Sequence, residues 1–223
     1  MLILAIDTSA VASAALISDD AMEGVVDSFC TEDTRSHAEV LAPGIEKLLG
    51  DAGVRGPDID MIVTGVGPGP FTGLRSGIAT ARTLAFAWNK PLFGLMSLDA
   101  IALEVAESTE AKPEFLVATD ARRKEVYWAR YTLMDGQLPR LVDGPHVGFA
   151  SELPALPVFG AGAGIYADVV EANAEFSSTQ PDAASLGQFA MARLAAGEEL
   201  PDSTPLYLRE SDAQVPGPRK RAL

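Results

Sequence analysis

The 223-residue chain is poor in the side chains that build disulfides and metal centres. A single cysteine, Cys30, excludes an internal disulfide and a site formed by several thiolates. Its apolar neighbours predict a buried, inert thiol. The only two histidines, His37 and His146, belong to no H-x-x-x-H or H-E-x-x-H pattern. This excludes a zinc site formed by two histidines on one helix, and His146, which follows Gly144-Pro145, is expected in a loop.

Positive charge is also scarce. The chain has 17 Lys and Arg residues against 31 Asp and Glu residues, a formal net charge of −14. Nucleic-acid affinity comes mostly from attraction between Lys or Arg and phosphate, so tight RNA binding by this chain alone is not expected. The two basic clusters are Arg122-Arg123-Lys124 and Arg219-Lys220-Arg221, and the second lies in a predicted flexible tail, 211–223.

Long hydrophobic runs are missing as well. No uncharged run reaches the roughly 18 residues that a membrane-spanning helix needs. The N-terminal apolar run, Met1 to Ile6, is short and has no basic start, so it does not resemble a signal peptide. We expect a cytoplasmic protein without a membrane segment.

The first half of the chain has alternating strand and helix patterns. Three short apolar runs at 2–6, 12–17 and 24–30 are separated by turn residues and predict an antiparallel meander. Ser36 and Glu39 have the spacing of a capping box, which predicts the start of a helix. Further patterns predict a strand at 59–66, a helix at Thr72–Trp88, a strand at 91–95 and a helix at 98–107. This order is typical of an α/β layered unit.

A second, smaller unit is expected after Lys112-Pro113. Apolar and alternating runs predict strands at 115–119, 125–134 and 158–159, and helices are expected at about 166–174 and 186–196. The predicted division is 1–110, 111–210 and the tail 211–223. Each half offers a strand that ends in an aspartate, Asp7 or Asp120.

The strand–turn–helix segment from Val63 to Gly77 is the strongest motif. Its turn, Gly67-Pro68-Gly69-Pro70, combines residues that allow close backbone approach with residues that stiffen the chain. Such a turn aims backbone N–H groups at one point, which suits an anion or tight packing against another chain. In the helix that follows, Gly73, Gly77, Ala81 and Ala85 form a flat stripe that another backbone can approach.

Three further motifs have two readings each. Asp7-Thr8-Ser9 suits phosphate and Mg²⁺ binding but is favoured as a plain turn. Gly160-x-Gly162-x-Gly164 lacks the last glycine of a dinucleotide fingerprint and is favoured as a tight turn against the sheet. The segment Asp120 to Tyr127 is either a charged turn or a basic knob for an acidic or phosphate-bearing partner.

Four segments, in order along nearly the whole chain, resemble the TsaB (YeaZ) family: Ile6–Ser9, Gly67–Arg75, Asp120–Tyr127 and Pro205–Arg209. The resemblance implies the α/β fold of actin-like ATPases and sugar kinases, with two similar halves that each contain a mixed sheet. It also implies a role in forming threonylcarbamoyladenosine at position 37 of tRNAs that read codons beginning with A.

The same resemblance implies the partners. The catalytic subunit is the paralogue TsaD, TsaE is an ATPase that joins the complex, and threonylcarbamoyl-adenylate is the donor. A homodimer is expected when TsaD is absent, and tRNA is bound only through the complex. No cofactor is expected to bind stably, and the joint with TsaD is where ATP or ADP is expected. One small departure is Pro70, where the family often has serine.

The sequence departs from the catalytic paralogue just after the Gly/Pro turn. TsaD has a metal-binding H-x-x-x-H helix there, whereas Ser97 and Ile101 fall at the corresponding positions of this chain. A hydroxyl and an aliphatic side chain cannot form that pair, so no catalytic residue and no metal site are predicted.

The candidate site residues fall into two groups. The predicted partner interface consists of Ser36, His37, Val40, Phe71, Gly73, Arg75, Gly77, Ala81 and Phe86. The predicted nucleotide-adjacent residues are Asp7, Thr8, Ser9, Gly67, Gly69 and Thr72. The alternative functions are an autonomous small-molecule kinase or ATPase that uses Asp7-Thr8-Ser9, and a metallopeptidase, which would need a metal.

Overall fold

The first half forms a five-stranded mixed sheet. The computed structural model describes residues 1–21, 24–31, 37–134 and 136–209. The strands are β1 (Leu2–Asp7), β2 (Ser13–Ser18), β3 (Val25–Cys30), β4 (Met61–Gly65) and β5 (Leu92–Leu95), in the spatial order β3-β2-β1-β4-β5. Strands β1 to β3 are antiparallel, which confirms the predicted meander, and β4 and β5 add parallel to β1.

The second half repeats this strand order. Its strands are β6 (Glu114–Asp120), β7 (Glu125–Thr132), β8 (Arg140–Phe149) and β9 (Val158–Phe159), in the order β8-β7-β6-β9. Again the first three strands are antiparallel and the last adds parallel to the first. Both halves therefore contain a mixed sheet with the same pattern of strand pairing, which confirms the predicted fold of two similar halves.

Helices cover both sheets. They are α1 (His37–Asp51), α2 (Phe71–Trp88), α3 (Leu98–Glu107), α4 (Ala161–Ile165) and α5 (Ala183–Ala195). Alternate residues of β1 enter two cores: Leu4 and Ile6 face α1 and α2, whereas Ile3 and Ala5 face α5. Helix α5 thus covers the first sheet although it lies late in the chain.

Helix α3 lies between the two sheets and is buried on nearly every side. Ala100 and Leu103 belong to the core under the first sheet, whereas Ile101 and Val105 belong to the core under the second. A helix that is apolar all round is stable only inside a protein. Helix α3 therefore joins the two halves, and polar side chains on it need partners within the fold.

Three sequence predictions are wrong in this part of the fold. A helix was expected at 166–174, but the chain there forms turns after the short helix α4. His146 lies in strand β8 and not in a loop; Gly144 and Pro145 are tolerated there because β8 is at the edge of its sheet. Cys30 is exposed, since alternate residues of the edge strand β3 face solvent.

None of the helices in the described segments is both long enough and apolar enough to cross a membrane. The predicted tail, 211–223, lies outside the described residues.

Candidate functional site: the junction of the Gly/Pro turn with the first strand

The Gly/Pro turn and the Asp7-Thr8-Ser9 turn meet at one edge of the first sheet. Strands β1, β4 and β5 are parallel to one another, so their carboxyl ends lie together. Asp7 ends β1, Gly65 ends β4, and Ser97 follows β5 at the start of α3. The sheet therefore brings together residues that are up to 90 positions apart.

The Asp7 carboxylate is the centre of this junction. One oxygen accepts hydrogen bonds from the Ser9 backbone N–H at 2.8 Å and from Ser9 Oγ at 2.7 Å. The other oxygen accepts from Ser97 Oγ at 2.5 Å. Ser97 Oγ in turn accepts from the Gly67 N–H at 3.2 Å. Asp7 and Ser97 are buried, so this network holds the strand end and the Gly/Pro turn in one arrangement.

Burial sets the protonation of Asp7. Removal of the carboxylate from water raises its pKa to about 6, and the hydrogen bonds from Ser9 and Ser97 oppose that shift. Asp7 is therefore mostly ionised at neutral pH and titrates in mild acid.

Glycines at the junction allow contacts that any side chain would prevent. A Cβ atom on Gly65 would lie 1.7 Å from an Asp7 carboxylate oxygen. A Cβ on Gly69 would lie 2.6 Å from the Ser9 carbonyl oxygen. Gly67 has a φ of +96°, a backbone conformation that L residues rarely adopt. The glycines of the motif thus serve close packing between the two turns.

Thr8 connects the Asp7-Thr8-Ser9 turn to helix α2. Its Oγ1 donates a 2.8 Å hydrogen bond to the Gly73 carbonyl oxygen, and Gly77 packs directly against the Thr8 side chain. Asp7, Thr8, Ser9 and Gly67 are all buried, whereas Thr72 is exposed at the rim. The predicted nucleotide-adjacent residues are brought together, and most of their polar groups are used inside the chain.

The small-residue stripe of α2 faces inward. Ala81 and Ala85 belong to the core beneath α1 and α2, and Gly73 and Gly77 lie against the Asp7-Thr8-Ser9 turn. This placement corrects the prediction that the stripe itself receives another chain, because the close approach at Gly73 and Gly77 is made by Thr8, in the turn after β1. Gly73, Gly77 and Ala81 are not available to a partner in this structure.

The opposite face of α2 is open. Ala79, Arg82, Thr83 and Phe86 are exposed along it, and the Phe86 side chain is 90% exposed. Helix α1 packs beside α2 and adds the partly buried Val40. Of the other predicted interface residues, Ser36 and the side chain of His37 lie outside the described part of the chain. We call the exposed surface of α1 and α2 the helical face.

The segment at 201–208 forms a strap across the first half. The Gly94 N–H donates to the Pro201 carbonyl at 2.9 Å, and the Leu206 N–H donates to the Val66 carbonyl at 2.8 Å. The Tyr207 ring stacks on Phe71 with the ring centroids 4.6 Å apart. The strap therefore covers β5 and reaches the first turn of α2.

The comparisons with known proteins agree with this arrangement. A family model described as "TsaD: tRNA N6-adenosine threonylcarbamoyltransferase" matches residues 21–163. The crystal structure of a Pseudomonas aeruginosa protein "with similarity to peptidase YEAZ" superposes with a TM-score of 0.77, at 30% identity over 93% of this chain and 99% of that one. The Bacillus subtilis "tRNA threonylcarbamoyladenosine biosynthesis protein TsaB" is 32% identical over 157 residues, 70% of this chain and 66% of that protein.

The chain belongs to the TsaB (YeaZ) family. An uncharacterised protein of Mycobacterium tuberculosis is 40% identical over 218 residues, which cover 95% of this chain and 93% of that protein. The likeness to the Pseudomonas aeruginosa YeaZ structures covers 93% of this chain, so the resemblance extends well beyond the four short segments.

The start of α3 can now be compared with the corresponding positions of TsaD. Ser97, at the position where the resemblance places the first histidine of TsaD, is buried and bonded to Asp7. Ile101, at the second position, is buried in the core under the second sheet. In this TsaB-family chain both positions are therefore parts of the internal packing. No group of three or more potential metal ligands occurs within the described residues.

Sequence reasoning missed a cavity of about 900 Å³ in this TsaB-family chain, which is lined in part by the end of β5 and by the strap. Its lining includes Met96, Asp99, Leu138, Phe189, Arg193 and Leu206. Asp99 is buried, accepts a 2.8 Å hydrogen bond from Tyr131 Oη, and has a pKa raised by burial to about 6. These six residues come from four separate segments without a shared motif, so no local pattern could have indicated the cavity.

The glycine triplet of the second half packs as expected. A Cβ on Gly162 would lie 2.8 Å from the Ala118 carbonyl carbon, and one on Gly164 would lie 1.9 Å from the Ser177 carbonyl oxygen. Gly162 therefore packs closely against the sheet as predicted, but the segment forms the short helix α4 and not a turn.

Proposed function

We propose that this chain is a non-catalytic subunit that activates TsaD, together with TsaE, for transfer of the threonylcarbamoyl group to adenosine 37 of tRNA. The observation that carries the proposal is the helical face, on which Phe86 is almost fully exposed. A large apolar side chain held on a rigid helix is a typical anchor for a partner pocket. In this proposal the same face pairs with TsaD, or with a second copy of the chain when TsaD is absent.

The hydrogen bonds at the junction favour a non-catalytic role for this chain. The Ser9 and Ser97 hydroxyls donate to the Asp7 carboxylate and the Thr8 hydroxyl donates to the Gly73 carbonyl, so these groups are poorly placed to attack a substrate or to hold a metal. In the proposed complex TsaD supplies the metal and the reacting groups. A nucleotide such as ATP or ADP would then lie at the joint with TsaD, near the exposed Thr72.

The net charge of −14 supports the same division of labour. A chain this acidic binds polyanions poorly by itself. In the proposal tRNA is therefore held mainly by the partners and meets this subunit only within the complex.

Phe86→Arg is expected to weaken the complex with TsaD at least tenfold. Burying a phenylalanine side chain contributes about 1.5–3 kcal/mol, and about 1.4 kcal/mol is a factor of ten in affinity. The measurement is the dissociation constant of the purified pair, followed by threonylcarbamoyladenosine formation with TsaE and the donor present. Val169→Arg, at an exposed valine of the second half, is the matched control and is expected to leave both unchanged. Equal affinity of the Phe86→Arg protein and the unaltered protein would remove the helical face from the interface.

The autonomous kinase or ATPase remains a distinct alternative. It requires tight Mg·ATP binding and turnover by the isolated chain. Isothermal titration calorimetry of the isolated protein with Mg·ATP separates the two functions, and we expect no tight binding, because the Asp7 and Thr8 side chains are already bonded within the fold. Stoichiometric, tight binding with ATP hydrolysis would favour the alternative.

A further inference from the structure

The cavity beside the strap is bounded by segments of both halves. Its walls are the end of β5, the start of α3, residues between 136 and 145, the second half of α5 and the strap. Its volume of about 900 Å³ is that of a site for a small molecule, for which roughly 300–1,000 Å³ is typical. The lining found among the described residues does not include Asp7, Thr8 or Ser9, so this site is distinct from the junction.

Much of the cavity wall is apolar. Leu95, Met96 and Phe189 are buried core residues that reach the cavity, and Leu138 and Leu206 are partly buried beside them. A wall of this kind suits an aromatic or aliphatic group, whereas the orientation and choice of a ligand depend on the few polar groups that reach the same space.

Asp99 is the buried carboxylate of this lining, with 8% of its surface exposed. Tyr131 Oη donates to one of its oxygens at 2.8 Å, and a backbone hydrogen bond from Met96 also reaches the carboxylate. These neutral donors orient the group but do not cancel its charge. A carboxylate can accept about four hydrogen bonds, so Asp99 retains the capacity to accept from a donor that enters through the cavity.

The other charged groups of the described lining balance one another. Arg193, whose charge acts on Asp99, donates through Nε to Glu198 at 2.8 Å and through a terminal nitrogen to a backbone carbonyl at 3.3 Å. Arg140 and Asp202 are exposed and carry opposite charges. The excess charge of this lining is therefore negative. A buried charge is costly until it is paired, so a positive group is the favoured complement of Asp99.

We propose that this cavity binds a small organic cation, a primary amine with an aromatic or aliphatic body, whose ammonium group pairs with the Asp99 carboxylate. The body of the ligand lies against the apolar wall that includes Leu138, Phe189 and Leu206. An anionic ligand is disfavoured, because it would meet the Asp99 charge and would compete with Glu198 for Arg193. This inference does not depend on the proposed function, since the isolated chain contains the whole cavity.

The test is an NMR titration of the full chain at neutral pH with a matched set of indoles. Tryptamine, tryptophol and indole-3-propionate share one ring and a two-carbon linker, and they end in an ammonium group, a hydroxyl and a carboxylate. We expect tryptamine to bind with a dissociation constant of about 1 mM or lower, at least about tenfold more tightly than the other two. Equal affinities of the three probes, or the lack of saturable tryptamine binding up to about 10 mM, would overturn the inference.

Asp99→Asn separates the charge from the shape of the site. Asparagine can still accept from Tyr131 but carries no charge, so the affinity for tryptamine is expected to fall about tenfold, whereas the affinity for tryptophol stays the same. Asp168→Asn, at an exposed aspartate of the second half outside the lining, is the matched control and is expected to change neither affinity. An equal loss in both variants would mean that only net charge matters and would overturn the inference.

Ala192→Phe tests the location of the ligand. Ala192 lies on α5, lines the cavity and is partly exposed, so a larger side chain there fills the cavity without entering the core. We expect this variant to lose measurable binding of both tryptamine and tryptophol while its melting temperature stays within about 5 °C of that of the unaltered chain. Unchanged tryptamine affinity would place the probe elsewhere and overturn the inference. The Asp99→Asn comparison still decides the matter if the phenylalanine variant does not fold, because asparagine removes no packing volume.

Discussion

Gly77→Val is expected to lower the free energy of unfolding by about 3 kcal/mol or more. Gly77 faces Thr8, in the turn after the first strand, and a Cβ atom there would lie 2.2 Å from Thr8 Oγ1 and 3.1 Å from Thr8 Cγ2. Thr8 cannot move aside easily, because its hydroxyl is bonded to the Gly73 carbonyl and it is buried. The measurement is the denaturant midpoint of the purified chain. Ala79→Val, on the exposed face of the same helix, is the matched control and is expected to cost at most about 0.7 kcal/mol.

A double-mutant cycle tests the cause. Gly77→Ala places one methyl group against Thr8, and Thr8→Ala removes both atoms closest to that methyl. The loss caused by Gly77→Ala is therefore expected to be smaller in the Thr8→Ala background, by about 0.5–3 kcal/mol. Additive losses would mean that the two residues do not meet and that the stripe of α2 faces a different surface.

This contact shows what the sequence can and cannot predict at the junction. The Gly/Pro turn, the start of α2 and the end of β1 were each predicted from local patterns, and the structure confirms them. The stripe itself indicates only that some backbone comes close. Which residue does so, here Thr8, depends on the parallel pairing of β1 with β4, and such long-range pairing leaves no local signal.

The other errors also have physical reasons. Gly144-Pro145 predicts a loop in most contexts, but an edge strand such as β8 tolerates a residue that cannot donate to a ladder. Cys30 follows apolar residues, yet the alternation of an edge strand turns it outward. For Cys30 the sequence predicted the strand but not its place at the edge of the sheet, whereas for His146 it did not predict the strand itself.

In helix α3 the sequence predicts the helix but not the partners of its polar side chains. Its apolar pattern predicted a helix at 98–107, and the structure confirms those bounds. Its acidic residues Asp99 and Glu104 would be exposed on an ordinary surface helix. Here Asp99 meets Tyr131 of the second sheet, and Glu104 meets Ser185 of α5. Partners 32 and 81 residues away cannot be inferred from local spacing.

Burial of these acids gives the chain an unusual dependence on pH. Burial raises the pKa of Asp7 and of Asp99 to about 6 and that of Glu104 to about 7. Because these values exceed those of an unfolded chain, the native state binds more protons than the unfolded state between about pH 4 and pH 7. Their contribution to stability is therefore full below about pH 4 and is lost as the pH rises through 6 to 7.

The magnitude of this loss can be bounded. One pKa unit corresponds to about 1.4 kcal/mol, so each fully buried aspartate accounts for roughly 3 kcal/mol. Glu104 is partly exposed, and screening by water reduces its share to about 1–2 kcal/mol. Some exposed carboxylates, such as Asp58 and Asp143, have a lowered pKa instead. Their contribution to stability is present above the pKa of an unfolded aspartate and is lost only as the pH falls below it, so it does not change between about pH 4 and pH 7.

The side chains around Glu104 explain why its pKa is raised. Ser185 Oγ lies 2.8 Å from a Glu104 carboxylate oxygen and 3.0 Å from one of Asp182. A hydroxyl has one proton and can donate to only one of the two. If Glu104 is protonated, it donates to Ser185 and Ser185 donates to Asp182, so both contacts become hydrogen bonds. The neutral form of Glu104 is favoured by burial and by the negative charges of the nearby Asp182 and Glu107.

Glu104→Gln is accordingly expected to stabilise the chain at pH 8 by about 1–2 kcal/mol and to have little effect at pH 4.5. Glutamine keeps the shape and neutral charge of the protonated acid, so the curve of stability against pH should flatten between about pH 5 and 7. The measurement is urea denaturation across that range at one protein concentration. Glu46→Gln, at an exposed glutamate of α1, is the control and should leave the curve unchanged. Equal stability of the Glu104→Gln chain and the unaltered chain at pH 8 would mean that Glu104 carries its charge in the fold without cost, and that the aspartates alone set the pH dependence.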